Sequence, residues 1–216
     1  MEKLQQIKLP IDKEFEEFRR LFDSSLQSSN SLLSEVLSYI KQRNGKMMRP
    51  ILALLIAKLF GEINDSTLHA ALSLELLHTA SLVHDDVVDE SERPRGRQTA
   101  NNLFGNAAAV LVGDFLYTRA FQLMVGSGSM KILEVMADAT NIIAEGEVMQ
   151  LMNIGNTDIT EAEYVQVIQY KTAKLFEAAA QVGAILAGAT QEQEQALKDY
   201  GMYVGTAFQI IDDVLD

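Results

Sequence analysis

The chain has 216 residues, of which 48% are hydrophobic and none is cysteine, so it can bury a sizeable core but cannot form disulfides or thiolate metal sites. With 30 acidic and 18 basic residues its net charge is −12, which excludes a general nucleic-acid binder because phosphate backbones require a basic face. Residues 1–20 lack the basic start and apolar run of a signal peptide, and the weakly polar stretch 178–189 is too short to cross a bilayer. We therefore expect one cytoplasmic domain over residues 1–216 without a transmembrane segment.

Apolar residues recur every three or four positions along nearly the whole chain, which predicts an all-α protein. Breaks that would separate about eight helices fall at residues 42–46, 61–65, 92–97, 126–129 and 155–158. Capping-box sequences mark two helix starts, Thr160 with Glu163 and Thr190 with Gln193. The Ala-rich segments 107–109 and 178–189 would let helices approach closely and predict the centre of a bundle.

An aspartate cluster, Asp85, Asp86 and Asp89, carries the strongest local signal for chemistry. On a helix Asp85 and Asp89 lie one turn apart on the same face, where their charges repel each other unless a cation is present. Oxygen ligands without His or Cys favour Mg²⁺. A solvated acidic helix end is the alternative interpretation.

A second cluster, Asp212, Asp213 and Asp216, repeats the DDxxD spacing near the end of the chain. If the two helices face each other, the aspartates form opposite walls of a cavity that could hold several metal ions and a diphosphate. The repetition favours a metal site, and a surface acidic helix remains the alternative.

Basic side chains are also grouped. Lys46 and Arg49 precede or open a helix at Pro50, and free N–H groups at a helix N-terminus favour an anion. Arg93, Arg95 and Arg97 surround Gly96 and form a second concentration of phosphate-binding side chains. An ordinary loop with a helix start and a soluble surface segment are the respective alternatives.

Three further polar residues interrupt apolar helices. His78 lies two turns before Asp85 on the same face and can donate to a phosphate oxygen, although a structural histidine is the alternative. Lys171 and Thr172 bring a cation and a hydroxyl into an apolar helix, where a snorkelling lysine is the alternative.

Six motifs in chain order resemble those of the trans-type polyprenyl diphosphate synthases: GKMMRP, DDVVD followed by an Arg-Gly segment, GDFLYTRAF, AEGEVMQL, YKTAKLFEAA and GTAFQIIDDVLD. The chain is most similar to bacterial members that make octaprenyl diphosphate for quinone side chains, of ubiquinone or menaquinone. The resemblance implies an isoprenoid-synthase-type helical bundle around a central cavity. It also implies a homodimeric, Mg²⁺-dependent transferase that condenses isopentenyl diphosphate head to tail onto an allylic diphosphate, which we expect to be farnesyl diphosphate.

The resemblance also implies roles for individual residues. Those that would hold the diphosphate of isopentenyl diphosphate are Lys46, Arg49, His78 and Arg95. Those that would bind Mg²⁺ at the allylic diphosphate are Asp85, Asp89 and Asp212, with support from Asp86, Asp213 and Asp216. Those that match positions beside the allylic group are Lys171, Thr172 and Gln209.

Product length is expected to depend on how far the growing apolar tail can run down the bundle. Ala80 and Ser81, about one turn before the first aspartate cluster, are small. In the family a bulky aromatic there resembles a floor that stops growth early, so this pair implies a long product.

Two departures from the family pattern stand out. The family has two adjacent arginines before its glycine, whereas here these positions read Pro94-Arg95, and Arg93 or Arg97 could substitute. Relatives continue beyond Asp216, so we expect the C-terminal helices of the domain to be missing from this chain. A non-catalytic regulatory subunit of a heteromeric prenyl synthase and a class I terpene cyclase are the alternative functions; eroded Asp and Lys/Arg motifs would mark the former, and a second metal motif mixing Asn, Ser or Thr with acids the latter.

Overall fold

The computed structural model describes residues 2–42, 45–89 and 98–215, and these residues form α-helices with no strand. The helices are α1 Glu2–Lys8, α2 Asp12–Ser25, α3 Ser31–Lys41, α4 Met48–Phe60, α5 Asp65–Val88, α6 Ala100–Phe104, α7 Asn106–Gly126, α8 Met130–Met152, α9 Glu161–Ile168, α10 Lys174–Leu186 and α11 Gln191–Leu215. A 3-10 turn, Leu9–Ile11, joins α1 to α2, and a π-helical turn, Gln169–Ala173, joins α9 to α10. The predicted all-α class is confirmed.

Most predicted breaks coincide with observed helix ends. The breaks at 42–46, 61–65, 126–129 and 155–158 lie between consecutive helices, and the one at 92–97 lies outside the described residues. Both predicted capping boxes form. The Thr160 hydroxyl accepts from the Glu163 backbone N–H at 3.3 Å, and the Thr190 hydroxyl accepts from the Gln193 backbone N–H at 3.3 Å. The described helices outnumber the prediction because further breaks occur, among them residues 26–30 and Gly105.

Helix α5 lies at the centre of the bundle and packs against α4, α7 and α10. Its side chains Leu72, Leu74 and Leu76 point in different directions around the helix, yet all are at most 1% exposed. A helix that is apolar on all sides is a core helix. The two aspartates at its C-terminal end are therefore attached to a rigid element.

Helix α10 confirms the close approach that its alanines predict. Ala178, Ala179 and Ala180 are all buried, and a Cβ at Gly183 would lie 2.6 Å from the backbone oxygen of Ala53 in α4. The prediction for the other Ala-rich segment holds at Ala109, which is fully buried, and is wrong at Ala107, which is exposed. A run of alanines signals close packing only where another helix crosses it.

Among the described helices, α7 is long and apolar enough to cross a bilayer, although only 33% of its most apolar window is buried within the protein. Core helices of soluble proteins meet the same criterion, so this single helix is weak evidence for a membrane span.

Candidate active site

The first aspartate cluster lies at the C-terminal end of α5. Asp85 and Asp86 are half-buried, and Asp89 is the exposed residue that ends the helix, its backbone N–H donating to the Asp85 carbonyl at 2.8 Å. The last turn contains no basic side chain. Because a helix C-terminus already carries partial negative charge, carboxylates at this position are unfavourable without a cation nearby.

The second cluster lies near the end of α11 and is held by hydrogen bonds from neighbouring elements. Asp213 accepts one from the Tyr164 hydroxyl at 2.5 Å and another from the Gln209 side-chain amide at 2.7 Å. Gln209 in turn accepts a hydrogen bond from the Thr172 hydroxyl at 2.9 Å. The adjacent Asp212 is half-buried. A hydrogen-bonded chain thus links α9, the π-helical turn and α11.

One cavity of about 690 Å³ is lined by Asp89 of the first cluster and by Asp212 and Asp213 of the second, whereas Asp85 and Asp86 are not among its lining residues. The predicted site residues that line it are Asp89, Lys171, Thr172, Gln209, Asp212 and Asp213. The end of α8, the following loop and α9 complete the wall with Gln150, Asn153, Ile154, Ile159, Tyr164, Val167 and Ile168. The cavity is therefore acidic on two sides and largely apolar along its α9 side.

The π-helical turn presents Lys171 and Thr172 to this cavity. Such turns shift a helix by one residue and often occur at functional sites. Two glycines let neighbouring helices approach the backbone of this turn. A Cβ added at Gly146 in α8 would lie 2.8 Å from the backbone nitrogen of Lys171, and one added at Gly205 in α11 would lie 2.6 Å from the Cα of Ala173. Helices α8 and α11 therefore pack directly on the turn that carries two of the predicted site residues.

The Lys171 ammonium lies between two carboxylates. Its Nζ is 2.8 Å from Glu147 Oε2 and 3.7 Å from Asp85 Oδ2. Burial lowers the pKa of Lys171, but the hydrogen bond that its ammonium donates to Glu147 and the charge of Asp85 outweigh this effect, so the net shift is upward. The lysine is therefore charged.

Burial raises the pKa of Asp85 to about 7, against the opposing charge of Lys171. The negative charges of Glu147, Asp89 and Asp86 raise it further. A pKa near neutrality is the expected result of burying a carboxyl group, to which the neighbouring acids add.

The carboxylates do not form a closed metal cage. In the described ranges no group of three or more His, Cys, Asp or Glu lies close enough together to hold a metal ion. Oxygen donors on two facing walls instead fit Mg²⁺, which typically takes one or two carboxylates and completes its shell with water and phosphate oxygens.

The predicted isopentenyl diphosphate ligands that the structure describes, Lys46, Arg49 and His78, are not among the residues lining this cavity. Lys46 is exposed in the loop before α4, where buried Met47 adopts a left-handed φ of 51°. Arg49 is buried instead, with its guanidinium 4.7 Å from the ring centre of Phe176. Burial lowers the pKa of Arg49 to about 10, partly offset by the charge of Glu75.

The remaining predicted ligands divide into two groups. His78 is half-buried on α5, outside the residues that line the cavity. Arg93, Arg95 and Asp216 lie outside the described residues, as does the Pro94 departure.

The two predicted chain-length residues lie on α5, beside α7. Ala80 is fully buried, and the Ser81 hydroxyl is 3.2 Å from the Tyr117 hydroxyl. The Tyr117 ring stacks on His84 with ring centres 5.7 Å apart. A Cβ at Gly113 would lie 2.1 Å from His84 Nε2, so this glycine makes room for the histidine.

Sequence reasoning missed three residues around the site: Glu147, Tyr164 and Tyr117. Glu147 lies within the quoted AEGEVMQL motif, which was a signal that could have found it. Tyr164 lies one helical turn after the capping residue Thr160, and nothing in the local sequence indicates its hydrogen bond to Asp213.

Comparison with known proteins agrees with this geometry. The family model for polyprenyl synthetase matches residues 30–216. The octaprenyl diphosphate synthase of Escherichia coli (strain K12) is 56% identical over 191 residues, which cover 88% of this chain and 59% of that enzyme.

Two crystal structures share the fold. A decaprenyl diphosphate synthase from Rhodobacter capsulatus matches with a TM-score of 0.94 and 44% identity, covering 99% of this chain and 66% of that chain. A polyprenyl synthase from Caulobacter crescentus CB15, complexed with calcium and isoprenyl diphosphate, matches with a TM-score of 0.94 and 41% identity, covering 98% and 65%. This chain thus spans less than two thirds of the length of these relatives.

These matches confirm the predicted isoprenoid-synthase-type bundle, and the family model covers most of the chain. They establish that the chain belongs to the polyprenyl synthetase family.

Proposed function

We propose that this chain provides the active site of a trans-prenyltransferase, which condenses isopentenyl diphosphate head to tail onto an allylic diphosphate. The observation that carries the proposal is the cavity shared by Asp89, Lys171 and Asp212 from three separate elements. The proposed product is a long-chain polyprenyl diphosphate for a quinone side chain. The octaprenyl relative favours octaprenyl diphosphate, and the decaprenyl relative marks the range of lengths to be tested.

We propose Mg²⁺ as the cofactor, with farnesyl diphosphate as the primer. Asp85 and Asp89 would hold the metal from one wall and Asp212 from the other. The relative that was crystallised with calcium and isoprenyl diphosphate supports a divalent cation together with a diphosphate in this fold. When bound, Mg²⁺ neutralises the diphosphate and favours its departure from the allylic carbon.

The chain's own residues would act on both products of this bond cleavage, the pyrophosphate and the allylic cation. The Lys171 ammonium would stabilise the departing pyrophosphate as its charge develops. The Thr172 hydroxyl donates a hydrogen bond to the Gln209 side-chain oxygen, which leaves the lone pairs of the hydroxyl free to face the allylic cation. Attack of the isopentenyl diphosphate alkene on the allylic cation would form the new C–C bond and a second cation. Loss of a proton from this second cation to pyrophosphate would then complete the reaction without a protein nucleophile.

Water must be kept away from the allylic cation, because it would quench the intermediate. The apolar side chains Ile154, Ile159 and Val167 line the cavity beside these polar groups. They would provide the apolar surface along which the reacting end of the prenyl chain lies.

We also propose that the protein forms a homodimer. Apolar side chains are exposed on α7 and α8, including Leu111 at 67%, Val125 at 65% and Val148 at 56%. Exposed apolar surface of this kind often marks a protein interface. Light scattering coupled to gel filtration tests this directly, and a monomeric mass would contradict it.

Incubation of the purified protein with Mg²⁺, farnesyl diphosphate and labelled isopentenyl diphosphate, followed by sizing of the products, tests the function. Elongated prenyl diphosphates are expected, and Asp212→Asn should abolish them. A cyclic hydrocarbon would indicate a terpene cyclase instead. Activity that appears only when a second subunit is added would indicate a regulatory component.

A further inference from the structure

Lys171 is shared unequally by two carboxylates on different helices. It is within hydrogen-bonding distance of Glu147 at 2.8 Å, whereas Asp85 at 3.7 Å is an ion-pair partner without a hydrogen bond. All three side chains are between 21% and 28% exposed, so water screens their charges only in part. The ammonium is thus held on the Glu147 side.

The backbone around this pair fixes the arrangement. Gly146, next to Glu147 on α8, packs closely against the π-helical turn, and a Cβ added at Gly146 would lie 2.8 Å from the backbone nitrogen of Lys171. Adjacent residues of α8 therefore contact the backbone and the side-chain end of the same lysine. This double contact sets the distance between the ammonium and α5, which carries Asp85.

The position of the ammonium matters because Asp85 has a competing task under the proposed function. A lysine hydrogen-bonded to Asp85 would occupy carboxylate lone pairs and place a positive charge where a divalent cation must approach. Without Glu147, Asp85 would be the only carboxylate among the described residues within 4 Å of Lys171. The lysine would then close onto it.

We propose that Glu147 is a positioning residue: it holds the Lys171 ammonium away from Asp85 and so keeps the Asp85 carboxylate available to a divalent cation. This role rests on the proposed function, since it assigns Asp85 to metal binding. It adds a carboxylate whose part is to hold a lysine, separate from the two aspartate clusters.

The test measures Mn²⁺ binding to the full chain by electron paramagnetic resonance of the free ion, with Mn²⁺ alone and no diphosphate. The variants are Glu147→Gln, Lys171→Met and the double variant, with Glu145→Gln as the matched control. Glu145 lies on the same helix and pairs with Asn141 at 2.9 Å, without contact to Lys171. Circular dichroism and thermal unfolding check that each variant folds.

Glu147→Gln should weaken Mn²⁺ binding by roughly fivefold, and Glu145→Gln should change it less than about twofold. In the Lys171→Met background, adding Glu147→Gln should have almost no further effect, because no ammonium remains to be held. Glu147→Asp keeps the carboxylate, so it should bind Mn²⁺ more tightly than Glu147→Gln and less tightly than the wild type. This variant also keeps the test informative if Glu147→Gln folds poorly.

Three results would overturn the inference. An equal loss with and without Lys171 would mean that Glu147 acts through its own charge or as a metal ligand. Unchanged binding in Glu147→Gln would mean that it does not position the lysine. Failure of the wild-type protein to bind Mn²⁺ saturably, with Asp85→Asn no different, would contradict the metal site of the proposed function as well.

Discussion

Replacement of Gly205 by alanine tests how tightly α11 packs on the π-helical turn. The added Cβ would lie 2.6 Å from the Ala173 Cα, 2.9 Å from its Cβ and 2.9 Å from the Phe176 Cβ. Carbon atoms in contact prefer about 3.5–4.0 Å, so α11 must move away by about 1 Å. All three are Cα or Cβ atoms, which side-chain rotation cannot move aside.

The energetic terms oppose each other. Alanine favours a helix interior over glycine by up to about 1 kcal/mol, whereas overpacking of this kind costs about 1–3 kcal/mol. We therefore expect Gly205→Ala to lower the free energy of unfolding by about 1–2 kcal/mol. For a chain of this size that corresponds to a Tm lower by about 2–8 °C, measured by circular dichroism at equal protein concentration.

Gly126 offers a matched control, because a Cβ there meets nothing within 4 Å and its φ is not positive. Gly126→Ala should leave the Tm unchanged or raise it slightly. Gly205 lies one turn before Gln209, so moving α11 should also break the 2.9 Å bond from Thr172 and lower kcat. A Gly205→Ala protein as stable as the Gly126→Ala control would refute the close packing of α11 on the turn.

Three further predictions concern the cavity and the helix interface beside it. In EDTA, wild-type stability should fall as pH rises from about 4 to 7, because the native pKa of Asp85 is about 7 rather than 3.8 and the folded state binds its proton more tightly in that window. Asp85→Asn should lower this slope, leaving the part that Glu75 contributes because burial also raises its pKa to about 7, and should stabilise the protein by about 1–3 kcal/mol above pH 7 in urea unfolding. A slope equal to that of the wild type would contradict the assignment. Tyr164→Phe deletes the bond to Asp213 and should lower kcat/KM several-fold with a stability loss of only about 1 kcal/mol; an unchanged kcat/KM would show that this bond does not orient the aspartate. Ala80→Phe should shorten the product, as should Ser81→Phe with less loss of stability because Ser81 is not fully buried, and an unchanged product distribution from both would exclude this floor.

Much of the fold could be predicted because it depends on local sequence. Apolar spacing gave the all-α class, and the hydroxyl and acidic or amide residues of both capping boxes located helix starts that the structure confirms. The break before α3 carried a comparable signal, since the Asn30 side chain accepts from the Leu33 backbone N–H at 3.0 Å. That signal was missed because no Glu or Gln follows at the third helical position to complete a capping box.

The site was predictable only in its residue types. The repeated aspartate spacing indicated two clusters, but the cavity shared by Asp89, Asp212 and Asp213 depends on how the helices of the bundle are arranged, which periodicity does not encode. The same limit applies to Arg49, whose burial against Phe176 depends on how α4 and α10 pack, and its role at a phosphate stays a prediction. Pairing of Glu147 with Lys171 joins residues 24 positions apart through helix packing, so no local pattern reports it.

The π-helical turn joins α9 and α10 into one continuous helical segment in which the extra residue changes the direction of the side chains after it. Removing one residue from 169–173 would restore a regular helix but rotate everything on one side of the deletion by about 100° relative to the other. Either the alanines of α10 would lose their contact with α4, or α9 would lose its contact with α11. The extra residue is thus a built-in offset, and the length of this segment is constrained as strictly as the identity of the side chains it carries.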